Sequence, residues 1–128
     1  MSRPLVDTDI LIDASRGTTE AIEFLKQQET QENLNISVIT QMELLAGCRD
    51  KTEQREVEHF LKRFDVIPIN EAASHLAVEL MVRYRLSHGL QIPDALIAAT
   101  ALVSGYSLAT KNQKHFRFIP NLKVMPYP

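Results

Sequence analysis

The sequence has one cysteine, Cys48, in 128 residues, so it forms no internal disulfide. Nothing at its N-terminus combines the basic region, apolar core and cleavage site of a secretory leader, and cytoplasm is the expected location. No apolar run is long enough for a bilayer. The longest, Ala95 to Val103, is broken by Thr100 and has roughly half the residues that a spanning helix needs. Excess positive charge is missing too: the formal net charge is -2, so contact with nucleic acid would need a local basic patch. No His or Cys pair has zinc-ligand spacing. There is no Gly-rich phosphate loop and no aromatic RNA-binding motif.

What is present is ordinary for one globular domain over residues 1–128, with 45% hydrophobic and 23% charged residues and no low-complexity tract. The stretch LVDTDILID, residues 5–13, is the exception. It is an apolar run interrupted by Asp7, Asp9 and Asp13, and burying an unpaired carboxylate costs several kcal/mol.

The periodicity predicts a strand over Pro4 to Val6 that hands over to a helix ending near Gly17, then a second helix capped by Thr18 or Thr19 and running through Glu29. LNISVI reads as a strand and TQMELLAGC as a helix, with Thr40 and Glu43 at capping-box spacing. Residues 51–64 are amphipathic, with Val57, Phe60, Leu61 and Phe64 on one face, and DVIPI is extended. Asn70 caps a long helix to about Ser87, and Pro93 opens a helix, apolar on nearly every face, that Gly105 closes. YSLAT reads as a strand, KNQKHF as a turn and NLKVMP as a last strand. Strands alternating with helices imply an α/β domain with a mostly parallel sheet covered on both faces.

Ligands of such sheets bind outside the carboxyl ends of the strands. Asp7 follows the first strand, Glu43 and Asp94 stand at helix starts, and Thr110 and Asn112 follow a late strand, so all can face one pocket. Acidic residues at helix starts also serve as caps. Three converging carboxylates would repel one another by on the order of 4 kcal/mol per pair, a penalty that a divalent cation removes. With no zinc-type ligands, an oxygen-seeking ion such as Mg2+ is favoured.

LVDTDILID, TQMELLAG, IPDALIAATAL and LATKNQKHF, in that order, resemble the motifs of PIN-domain ribonucleases, most of all the VapC toxins of toxin-antitoxin pairs. The resemblance implies a Rossmann-like three-layer α/β/α fold and an Mg2+-dependent endoribonuclease in which Mn2+ can substitute. It also implies a homodimer and a VapB-type antitoxin partner. By the same resemblance Asp7, Glu43 and Asp94 are the catalytic, metal-binding acids, and Thr8, Asp9, Thr110 and Asn112 support them. Asp9 is open between a water-mediated role and a helix-turn role. Asp13 reads as solvated or paired with Arg16.

The fourth motif departs from the family pattern, because Asn112 and His115 stand where many members have an aspartate. One tightly held ion is therefore expected. Lys111, Lys114 and Arg117 are candidate RNA contacts at the same strand end. Two other readings compete: a non-catalytic PIN-like binding module, and a phospho-accepting receiver domain. The receiver is disfavoured because Glu43 and Asp94 stand at helix starts instead of ending strands.

Overall fold

A computed structural model describes residues 4–29 and 33–128. The chain begins with β1 (Pro4–Val6), fully buried, followed by α1 (Thr8–Ser15). Asp7 is the turning point between them: its backbone is extended and its Oδ1 accepts from the N–H of Thr8 at 2.8 Å. Next come α2 (Thr19–Gln28), β2 (Leu34–Ser37), α3 (Val38–Ala46) and α4 (Lys51–Leu61). After them β3 (Phe64–Ile67), α5 (Glu71–His88), α6 (Ile92–Ser104) and β4 (Ser107–Ala109) complete the order, with a 3-10 turn at Gln113–His115.

The four strands are all parallel in the order β3-β2-β1-β4. Successive strand residues point to opposite faces, and the core divides accordingly. Leu5 and Leu108, paired across β1 and β4, pack with Ala73, Ala77 and Leu80 of α5 and with the alanines of α6. Val6, Ile36 and Ala109 face the other way, onto Ile10 and Leu11 of α1, Phe24 and Leu25 of α2, and Leu61 of α4. The result is a three-layer α/β/α fold. Ala95, Ala98, Ala99 and Ala101 are almost wholly buried, and their small side chains let α6 lie close to the sheet. Among the described residues no helix is long and apolar enough to cross a membrane.

Three local expectations are corrected. Thr40 and Glu43 do not form a capping box: α3 starts earlier, and its cap is Ser37, whose Oγ accepts from the N–H of Ile39 at 3.0 Å. Glu43 therefore lies in the second helical turn. Phe64 does not extend the apolar stripe of α4; the helix stops at Leu61 and Phe64 opens β3. NLKVMP is not a full strand, because a single parallel bridge joins Val124 to Leu108 at the outer edge of β4.

Strand order places the functional residues. With β1 between β2 and β4, the end of β1 lies against that of β4, and the N–H of Asp7 donates to the carbonyl of Ala109 at 2.8 Å. On its other side β1 meets β2, so α3, which follows β2, comes alongside the start of α1.

Candidate active site

Asp7 is 6% exposed. Both its oxygens are engaged, Oδ1 by the N–H of Thr8 and Oδ2 by Thr110 Oγ1 at 2.7 Å. Burial pushes its carboxyl up to about 7, and the negative charges of Asp9 and, less strongly, Asp94 push the same way. The hydrogen bonds from Thr110 and from the Thr8 N–H pull it partly back.

Asp94 comes from the first turn of α6, which starts at Ile92, one residue before the predicted Pro93. Its carboxyl is also raised, mainly by burial, with the nearby His115 opposing and the charges of Glu43 and Asp9 adding to the rise. His115 Nδ1 lies 3.5 Å from Asp94 Oδ2. Glu43 reaches in from α3, its Oε1 accepting from Thr8 Oγ1 at 2.6 Å. The three acids thus sit within one electrostatic neighbourhood, each held by a different element.

Asp9 and Asp13 work differently. Asp9 accepts from the backbone N–H groups of Lys111 and Asn112, both at 3.1 Å, so it fastens the loop after β4 to α1. Asn112 joins this network through its backbone N–H, which also donates to Thr110 Oγ1 at 3.1 Å. Asp13 is neither simply solvated nor paired with Arg16, the two expected outcomes, but pairs with Lys111 Nζ at 2.8 Å. Of the candidate RNA contacts, Lys111 is therefore engaged in an ion pair, while Lys114 and Arg117 are exposed.

Thr40 is marked by the sequence as a helix cap and not as a site residue. It is fully buried, and its Oγ1 lies 2.9 Å from that of Thr8. The signal was the i, i+3 spacing of Thr40 and Glu43, which puts both on one helix face.

Among the described residues no three of His, Cys, Asp or Glu stand close enough to hold a metal ion between them. Hydroxyls and a backbone N–H occupy oxygens of Asp7 and Glu43, and Asp94 lies beside His115. The donor set nevertheless fits Mg2+ or Mn2+. Mg2+ takes one or two direct carboxylates and keeps several waters. A carboxyl pushed up by burial, with the neighbouring Asp9 and Asp94 adding to the rise, is the electrostatic deficit that such a cation removes.

Beside Glu43 a groove of about 900 Å3 runs between α1, α2, α3 and α4, floored by Ile22, Leu25, Leu44, Val57 and Phe60. Arg16, Arg49 and Arg63 also line it. On the outer face of α5, Val78, Val82 and Leu86 are 64%, 79% and 99% exposed at i, i+4, i+8 spacing.

A parallel sheet with acids gathered at the ends of its strands is the architecture of a PIN domain, and the family profile described as PIN domain matches residues 5–120. Ribonuclease VapC10 of Mycobacterium tuberculosis is 42% identical over 120 residues, covering 93% of this chain and 90% of that protein. Ribonuclease VapC19 of the same organism is 36% identical over 125 residues, 96% of this chain and 98% of its own. The solved toxin-antitoxin complex from Klebsiella pneumoniae superposes with a TM-score of 0.79 at 33% identity, covering 96% of both chains. The chain belongs to the VapC branch of the PIN-domain family.

Proposed function

We propose that this protein, a single domain over residues 1–128, is a cytoplasmic metal-dependent endoribonuclease, the toxin of a VapBC-type pair. The observation that carries the reading is the buried Asp7 carboxyl, pushed up to about 7 beside Asp9 and Asp94. In this reading Asp7 and Asp94 hold Mg2+ or Mn2+ and Glu43 completes the site. When bound, the ion supplies Lewis-acid polarisation of the phosphodiester and of water and neutralises developing negative charge. Thr110 and the Thr8 N–H orient Asp7, and Thr8 Oγ1 orients Glu43. Lys114 and Arg117 attract the RNA backbone at the mouth of the site.

The names of the relatives support the activity, and the toxin-antitoxin complex among the solved structures supports a VapB-type partner. The groove lined in part by Glu43 is the proposed seat of that antitoxin, since it joins an apolar floor to one of the site acids. The apolar stripe on α5 is the proposed seat of a second copy. Its first half carries Glu71 and Glu79 and its second half Arg83 and Arg85, so an antiparallel twofold pairing sets acid against base around Val78 and Val82.

Cleavage of an RNA oligonucleotide by the purified protein tests the activity. Cleavage should require Mg2+ or Mn2+ and stop with EDTA. Asp7→Asn should lower it at least a hundredfold, while an exposed-surface variant such as Ser15→Ala retains it. Cleavage that survives EDTA would refute the metal-dependent mechanism, and RNA binding without cleavage would favour a binding module.

A further inference from the structure

Thr8 Oγ1 has two hydroxyl-range partners, Glu43 Oε1 at 2.6 Å and Thr40 Oγ1 at 2.9 Å. A hydroxyl carries one proton and an ionised carboxylate accepts only. The Thr8 proton therefore goes to Glu43, and Thr40 must donate to Thr8. The chain has a fixed direction, Thr40 to Thr8 to Glu43, and hydrogen bonds in such a series polarise one another. Its last link is charge-assisted and short.

The surroundings leave Thr40 free for this task. Ser37 caps α3, so the Thr40 hydroxyl is not needed at the helix end. Thr40 is fully buried and Thr8 is 8% exposed, whereas Glu43 is an exposed residue with a long side chain. An exposed glutamate samples several rotamers, and losing them is entropically unfavourable. The Thr8 bond removes part of that freedom by holding Oε1. We infer that Thr40 is a positioning residue that acts through Thr8 to hold the Glu43 carboxylate at the site. This rests on the proposed reading of Asp7, Glu43 and Asp94 as the metal-holding acids.

The test uses the full chain, Mn2+ as the probe and a double-mutant cycle. In Thr40→Val, the Mn2+ dissociation constant measured by calorimetry should rise about three- to tenfold and kcat on an RNA oligonucleotide should fall about tenfold, with KM little changed. Thr40→Ser, which keeps the hydroxyl, should restore both to within about twofold of the starting protein. In a Glu43→Gln background, Thr40→Val should weaken Mn2+ binding no further, because the group it positions has lost its charge. If the valine variant does not fold, Thr40→Ala with the same serine comparison takes its place. An unchanged Mn2+ affinity in Thr40→Val, or an equal loss in both backgrounds, would mean that Thr40 only packs, while the ribonuclease reading stood. A starting protein that neither binds Mn2+ nor cleaves RNA would overturn that reading and this inference with it.

Discussion

Thr110 donates a 2.7 Å hydrogen bond to Asp7 across 103 positions of sequence, joining the loop after the last strand to the end of the first. It is one of two donors that keep a buried carboxylate tolerable without a cation.

The tolerance is partial, and this sets the pH dependence of stability. The Asp7 carboxyl lies at about 7 in the fold against 3.8 for an ordinary aspartate, so the folded state holds a proton that the unfolded chain releases. That contribution is fully present below about pH 4 and is lost as pH rises through 7. In EDTA, Asp7→Asn should be more stable than the starting protein at pH 8, by on the order of 2–4 kcal/mol, and nearly equal to it at pH 4. Urea unfolding at the two pH values measures this. Mg2+ should stabilise the starting protein and leave Asp7→Asn unaffected.

Asp9 acts as a fastener. Its loss in Asp9→Ala leaves the N–H of Lys111 without its acceptor and that of Asn112 with Thr110 Oγ1 alone, and because both bonds are exposed to water this should destabilise the fold by about 0.5–1.5 kcal/mol. Hydrogen exchange at those two amides should accelerate well beyond that in β1. Equal protection in mutant and parent would refute the role.

The basic residues near the site should not be equivalent toward RNA. Lys114 is exposed and Lys111 is paired with Asp13 at 2.8 Å. In a cleavage-deficient background, Lys114→Ala should reduce the slope of log affinity against log salt by about one. Lys111→Ala should change it less, because forming the phosphate contact there means giving up an existing ion pair.

The α5 stripe predicts an oligomeric state. Light scattering should find a dimer, and Val82→Glu, placing like charges at the proposed twofold, should yield a folded monomer with an unchanged melting cooperativity. A monomeric parent would refute the pairing.

Architecture was legible because each element carried its own punctuation: Asn70, Pro93 and Gly105 mark helix ends to within one residue, and the alternation of strands and helices yielded a parallel sheet. Boundaries failed where two signals overlapped. Ser37 and Thr40 can both cap a helix, and only the packing of β2 against β1 decides which does. The fate of Thr40, Asp9 and Asp13 was hidden for a related reason. Their partners lie 32 to 103 residues away, and no local pattern encodes which distant strand end arrives beside them. Asp7 announced itself because a charge inside an apolar run needs a partner wherever the chain leads.

The position of β1 in the interior of the sheet bears on how the protein is made. Its first residues leave the ribosome early, yet the slot beside them stays open until residues 107–109 arrive. Such non-local pairing is slow relative to helix formation. A nascent chain that stops short of residue 110 has no Thr110 to complete Asp7, so the site assembles only after that residue has been made, and fragments cut short before it by stalled translation lack the site altogether.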